Sequence, residues 1–193
     1  MPKVLIVTGD FGETLEVLYP YERLREEGYE PVIAAPTKKR LQFVVHDFEG
    51  YDTFTEKLGH GWPADIALAD VDPADYVALI IPGGRAPEYL RNNEDVKRIV
   101  RHFFGASAPV ASLCHGPIVL ASAGVLAGRT SSGFPDIAPD VAAGGGTYQE
   151  SQALVDGNLV TARAWNDNGP WFGAFMALLR QAAPLDAQAD AHA

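Results

Sequence analysis

The sequence has a single cysteine, Cys114, among 193 residues. No internal disulfide can form. That excludes a secreted fold held by crosslinks and points to a reducing, cytoplasmic setting. Basic residues are also few: 15 Lys and Arg stand against 25 Asp and Glu, for a net charge of -10. Such a surface repels phosphate backbones and anionic lipid, so neither nucleic acid nor a membrane is expected as a partner. No apolar run approaches the roughly 20 residues of a membrane span. The opening Val4-Leu5-Ile6-Val7 is too short for the core of a signal peptide and reads as a buried strand. No Pro-, Ser- or charge-rich linker divides the chain. Apolar residues are plentiful, at 47% spread along the whole length, which favours one ordered domain over disorder. That domain is expected over residues 1–184, with a flexible tail rich in Ala and Asp over 185–193.

Short apolar runs recur at Lys3 to Thr8, Pro31 to Ala35, Tyr76 to Ile81 and Pro109 to Leu113, each ending in turn residues. Helical spacing follows the first, with Leu15, Leu18, Tyr19, Tyr21 and Leu24 on one stripe and Gly28 as a stop. Pro20 predicts a kink or a broken first turn. Leu41 to Val45 and the segment to Phe54 read as an extended pair turning at Glu49-Gly50. Ala64 to Ala69 reads as a short helix, and Glu94 to Phe104 and Pro117 to Ala123 as longer ones. Asp156-Gly157 predicts a hairpin, and Gly169 to Leu179 a closing helix. Continuous apolar strands alternating with helices predict an α/β fold with a parallel sheet covered on both faces. Function in such sheets gathers at the carboxyl ends of strands. Here those ends are Gly9 to Glu16, Pro82 to Glu88 and Leu113 to Pro117.

Cys114 lies between a strand and a helix, the setting of a nucleophile elbow, where free N–H groups at a helix start favour a thiolate. Gly116 gives that turn room for lack of a Cβ. The bland alternative is an inert, space-filling cysteine. His115 is a candidate general base or thiolate partner, though neighbours at a turn usually point apart. Glu13 and Glu16 are candidate acid–base carboxyls, or simply acidic residues placed by the helix dipole. Gly83 and Gly84 can bring N–H donors above Cys114, as an oxyanion hole needs, or can serve a tight turn. Arg85 and Glu88 follow them and, taken alone, read as the solvated start of a helix. Neither G-x-G-x-x-G nor a P-loop is present. His46, His60, His102 and His192 show no metal spacing, so no metal is expected, and no cofactor. Trp62, Trp165 and Trp171 read as core or interface residues.

Four stretches occur in order: Glu16-Val17-Leu18-Tyr19-Pro20-Tyr21, Pro82-Gly83-Gly84-Arg85-Ala86-Pro87-Glu88, Pro109 to Pro117, and Ser122-Ala123-Gly124-Val125-Leu126. Together they resemble the ThiJ/PfpI family, of the class I glutamine amidotransferase-like superfamily, and within it the intracellular protease branch. The resemblance runs over roughly residues 3 to 182. It implies a flavodoxin-like three-layer sandwich, with Cys114 as nucleophile and Glu16 beside its sulfur. It further implies that His115 pairs with Glu88 of a neighbouring subunit and that the Gly84 and His115 N–H groups form the oxyanion hole. A site shared in this way requires a homo-oligomer, a dimer or higher. Phe134 stands where the branch carries a Tyr, so a substrate-binding hydroxyl is missing. The segment His46 to Asp70 is longer than in compact members, and its Gly59-His60-Gly61-Trp62-Pro63 is expected to cap the pocket or alter the oligomer contact.

Three functions compete. The first is glyoxalase or deglycase action on small reactive carbonyls, such as methylglyoxal to lactate. It needs only a thiolate, one acid–base group and a small pocket, and it ranks first for that economy. The second is an intracellular cysteine peptidase or amidase, with Cys114, His115 and Glu88, which must admit a peptide substrate. The third is a non-enzymatic redox sensor or stress chaperone, with Cys114 oxidised to a sulfinate stabilised by Glu16. A glutaminase is disfavoured because His192 is the only histidine near the C-terminus.

Overall fold

The computed structural model describes residues 1–185. The strands are β1 (Lys3–Val7), β2 (Glu30–Ala35), β3 (Arg40–Asp47), β4 (Thr55–Pro63), β5 (Ile66–Ala67), β6 (Ala78–Ile81), β7 (Val110–Leu113), β8 (Thr130–Ser131), β9 (Thr147–Tyr148), β10 (Leu154–Asp156) and β11 (Leu159–Ala162). The helices are α1 (Thr14–Glu27), α2 (Ala86–Leu90), α3 (Glu94–Gly105), α4 (Pro117–Ala123), α5 (Ala138–Ala143) and α6 (Asn168–Ala182). Seven strands form one sheet in the order β10-β11-β7-β6-β1-β2-β5. All its pairings are parallel except β10 with β11, the expected hairpin.

The apolar runs are continuous because both faces of the sheet are covered. Val4 and Ile6 of β1 join a cluster with Val17 and Leu24 of α1 and Trp171, Phe172 and Phe175 of α6. Leu5 and Val7 point the other way, into a cluster with Val96, Ile99 and Phe103 of α3 and Val119 and Leu120 of α4. All of these are fully buried. Each contributes about 1.5–3 kcal/mol by leaving water, an upper range for a real unfolded chain. The result is the flavodoxin-like sandwich of helix, sheet and helix layers.

Four local expectations are corrected. α1 runs through Pro20 without interruption. Pro20 is buried with Glu16, Val17 and Leu24, and that docked face offsets the roughly 3 kcal/mol an interior proline costs. Its stripe is also displaced: Leu15 and Tyr19 are exposed, because Glu16 takes a place on the buried face. The extended pair is β3 with β4, and its second strand begins at Thr55, beyond the predicted turn. Ala64 to Ala69 is not a helix; it contains β5 and the start of a single 3₁₀ turn, Leu68–Asp70. Of the predicted tail, residues 186–193 lie outside the described residues, as does His192. Among the described residues, no helix is long and apolar enough to cross a membrane.

Candidate functional site

Three loops meet at the carboxyl end of the sheet. The loop after β1 touches the loop after β6 through a bridge between Gly12 and Gly84. The Arg85 amide donates to the Phe11 carbonyl at 2.7 Å and ties the same two loops. The loop after β7 carries Cys114, whose amide donates to Ala162 at 3.2 Å and whose carbonyl accepts from Phe134 at 2.9 Å.

Cys114 has φ +56°, in the left-handed region. A residue with a Cβ held there costs about 1–3 kcal/mol, and the flanking hydrogen bonds hold it. Gly116 is required for space, not for its dihedral, since its φ is -50°. A Cβ there would run into the Ile81 carbonyl and the Ser112 hydroxyl. Gly83 is required for the same reason. Its Cβ would lie 2.5 Å from the Cys114 Cβ, 2.6 Å from Glu16 Oε2 and 2.9 Å from the sulfur. Bare backbone at Gly83 is therefore what lets Glu16 and Cys114 approach. Gly84, with φ +78°, turns the chain here, and the Gly84 and His115 amides lie near enough to the sulfur to favour its charge. The glycine doublet thus delivers a donor as well as a turn.

Glu16, not Glu13, lies against the sulfur. Its Oε2 accepts from the Gly83 amide at 2.7 Å and, with the sulfur, crowds the space above Gly83. Glu13 is the N-cap of α1, and its Oε2 accepts from the Glu16 amide at 2.8 Å. Both carboxyls are buried, and each leaves its Oε1 without a hydrogen-bond partner. Burial, then the charge of Glu13, push Glu16 up to about 8. Burial also pushes Glu13 up to about 7, opposed by nearby backbone amides.

The thiol itself is pushed upward, first by burial and then by the Glu16 carboxylate, with the Gly84 and His115 amides opposing. The amide at the helix start does favour the thiolate, as expected, but α4 has only seven residues and Cys114 is 5% exposed. Desolvation outweighs the short helix dipole.

His115 Nδ1 lies 3.4 Å from the sulfur, so the adjacent pair does meet. Burial lowers the imidazole, which favours its neutral form. Its ring stacks on Phe134 at 5.4 Å and 21°, with Phe54 edge-on at 5.9 Å. Within one chain, Glu88 and His115 are not brought into hydrogen-bond contact. Glu88 instead accepts from Arg85 at 3.4 Å, and Arg85 also lies 3.8 Å from Glu56.

The wall beside His115 contains residues that the sequence did not single out. Phe48 lies parallel to Phe134 at 6.1 Å and to Trp165 at 6.0 Å. Phe54 packs on Phe134 at 5.5 Å and on His46 at 4.4 Å. Trp165 donates to the His46 carbonyl at 2.7 Å, so it belongs to this wall. Three aromatics within seven residues, Phe48, Tyr51 and Phe54, were the available signal. The rings packed around His115 come from the loop between β3 and β4. Gly59 to Pro63 lies in β4, and its Trp62 packs on Tyr21 at 5.4 Å. Among the described residues, no three His, Cys, Asp or Glu side chains are grouped to hold a metal ion.

A doubly covered parallel sheet with an elbow cysteine at its carboxyl end places the chain among flavodoxin-like α/β proteins. Its membership is narrower than that. Residues 2–178 match the model of the DJ-1/PfpI family, and the chain belongs to that family. It is 42% identical over 184 residues to DJ-1 homolog D of Arabidopsis thaliana, covering 92% of this chain and 47% of that protein. The chain thus spans about half the length of that relative. It is 40% identical over 178 residues to a deglycase of Pyrococcus horikoshii, covering 92% of this chain and 99% of the relative. Among solved structures, a two-domain protein of Anabaena variabilis with DJ-1/ThiJ/PfpI-like and ferritin-like domains superposes with a TM-score of 0.83 at 27% identity. That match covers 100% of this chain and 52% of the other. A ThiJ/PfpI domain protein of Brachyspira murdochii gives 0.81 at 18% identity, over 93% and 96% of the two chains, and shares the fold.

Proposed function

We propose that this chain is a cysteine-dependent enzyme acting on small reactive carbonyls, of the glyoxalase or deglycase type. The observation that carries it is the set of groups around one sulfur: the Glu16 carboxyl, the Gly84 and His115 N–H groups, and the His115 ring. Cys114 is almost wholly enclosed, which suits a two- or three-carbon aldehyde better than a polypeptide. The Pyrococcus relatives that carry the name deglycase support the same class.

In this reading the Cys114 proton passes to His115 and the sulfur adds to the aldehyde carbon of methylglyoxal. The new alkoxide accepts from Gly84 and His115 N–H, where charge develops. Glu16 then protonates it, giving a hemithioacetal. Transfer of the former aldehyde hydrogen to the adjacent carbon, by way of an enediol, converts that adduct to a 2-hydroxy thioester. Water cleaves the thioester, releasing lactate and restoring the thiol. A raised carboxyl and a neutral imidazole are the acid and base such steps need near pH 7.

The peptidase reading requires Glu88 from a second copy, since one chain leaves His115 without a carboxylate orienter. The test is methylglyoxal consumption with lactate detection, in wild type and Cys114→Ala, beside a fluorogenic peptide. Lactate from wild type alone supports the proposal. Cys114-dependent peptide cleavage without lactate would replace it with the shared-site peptidase, and light scattering would then have to show an oligomer.

A further inference from the structure

Four rings stand in a row beside the sulfur. The His115 ring, whose Nδ1 lies 3.4 Å from Cys114 Sγ, stacks on Phe134 at 5.4 Å and 21°. Phe134 lies parallel to Phe48 at 6.1 Å and 11°, and Phe48 to Trp165 at 6.0 Å and 16°. Surface apolar residues usually stand singly; rings that keep one orientation from step to step are a built surface. The row is pinned at its parts. The Phe134 amide donates to the Cys114 carbonyl at 2.9 Å, and Trp165 Nε1 donates to the His46 carbonyl at 2.7 Å. Phe54 braces His115 and Phe134 edge-on. Yet Phe48, in the middle of the row, is 49% exposed. Its ring is held in line with its neighbours while half its surface faces water.

Two other sides of the sulfur are taken. Glu16 and the bare backbone of Gly83 fill one, and the Gly84 and His115 amides lie along another. A substrate with its aldehyde carbon on the sulfur and its oxygen toward those amides has the ring row left for its substituent. Cys114 is enclosed, so only a slim two-carbon head reaches it and the substituent stays outside. A planar aryl group there gains offset-stacked or edge-to-face contact with rings already aligned, beyond the burial that an alkyl group also gains.

We propose that this row is a specificity surface for an aryl group, and that the substrates taken best are aryl α-oxoaldehydes. The proposal deepens the carbonyl reading of Cys114 and rests on it. With phenylglyoxal, the aldehyde carbon is oxidised to the carboxyl carbon and its hydrogen passes to the ketone carbon, which is reduced to the carbinol. Water supplies the second carboxyl oxygen, and the product is mandelate. No outside oxidant or reductant enters.

Because Cys114 is the only cysteine, covalent labelling reads the preference without turnover. Phenacyl bromide and bromoacetone carry the same bromomethyl ketone head on a phenyl and a methyl group, and the sulfur displaces bromide from either. Each labelling rate, followed by mass spectrometry, is divided by that reagent's rate with glutathione, which removes intrinsic reactivity. Wild type is expected to favour the aryl reagent about tenfold. Phe48→Ala should lose most of that preference and Phe48→Tyr should keep it; a half-exposed ring can be cut back without unfolding the chain, which circular dichroism checks. Equal normalised rates in wild type, or a preference that Phe48→Ala leaves intact, would overturn the proposal. Bromomethyl cyclohexyl ketone labelling as fast as phenacyl bromide would overturn it too, by showing that bulk alone is read. The ratio of kcat/KM for phenylglyoxal to that for methylglyoxal should follow the labelling ratio across the variants. An aryl labelling preference with neither oxoaldehyde consumed would sink the carbonyl chemistry while leaving the aryl surface standing.

Discussion

Gly83→Ala tests the geometry of the site with one carbon. Gly83 does not need a positive φ, so the substitution acts only through space. The new methyl would begin 2.5 Å from the Cys114 Cβ, 2.6 Å from Glu16 Oε2 and 2.9 Å from the sulfur. Ordinary contacts lie near 3.5–4.0 Å, so something must move by about 1 Å. None of the three neighbours can yield freely. Cys114 is pinned at both its amide and its carbonyl, and Glu16 is buried and held by the very residue being changed. Overpacking of this kind costs about 1–3 kcal/mol, and a 1 Å displacement of reacting groups costs about a hundredfold in rate. The expected outcome is a folded protein with a lowered urea midpoint and a hundredfold lower kcat/KM on methylglyoxal. Gly173→Ala is the control. It lies on α6 with no atom within 4 Å of the added Cβ, and it should stabilise by up to about 1 kcal/mol with unchanged turnover. Wild-type turnover and an unshifted thiol titration in Gly83→Ala would refute the idea that this strand end and the elbow are in rigid contact.

Stability should fall as pH rises. In the unfolded chain the two carboxyls ionise near their ordinary 4.5, while in the fold they hold protons up to about 7 and 8. Their contribution is therefore fully present below about 4.5 and lost as pH climbs through 7 to 8, at about 1.4 kcal/mol per unit for one group. Urea midpoints at pH 5 and pH 8 measure this, and Glu16→Gln should flatten the difference; an equal slope in the variant would place the effect elsewhere. Phe54→Ala removes the ring packed on His115, Phe134 and His46. Alkylation of Cys114 should quicken several-fold with the fold retained, and an unchanged rate would show that the β3–β4 loop does not screen the sulfur.

The sandwich was legible because buried parallel strands have a plain signature: Val4 to Val7, Ala78 to Ile81 and Val110 to Leu113 need no polar face. β5 was not, since a two-residue strand carries no periodicity. α1 misled for a physical reason. Its buried stripe includes Glu16, so apolar spacing alone points Leu15 and Tyr19 inward when they face solvent. The strand-end motifs located Cys114 and His115 in one loop and Gly83 and Gly84 in another, and these meet in space. What sequence reasoning could not supply was the contact between segments far apart in the chain. Phe48 and Phe54 reach Phe134 across about eighty residues, and a local pattern has no term for that. The net thiol shift is not legible, because a helix start is visible in sequence whereas desolvation is a property of the packed whole.

The two outer strands of the main sheet, β5 and β10, are two and three residues long. An extended chain laid alongside either one finds only a few free N–H and C=O groups to pair with. This is how sheets avoid growing into fibres. Edge-to-edge growth of the main sheet is therefore blocked, and copies that meet through side chains on helices and loops leave its hydrogen bonds untouched. Contacts of that kind can be tuned by single substitutions without disturbing the hydrogen-bonded frame that carries Cys114.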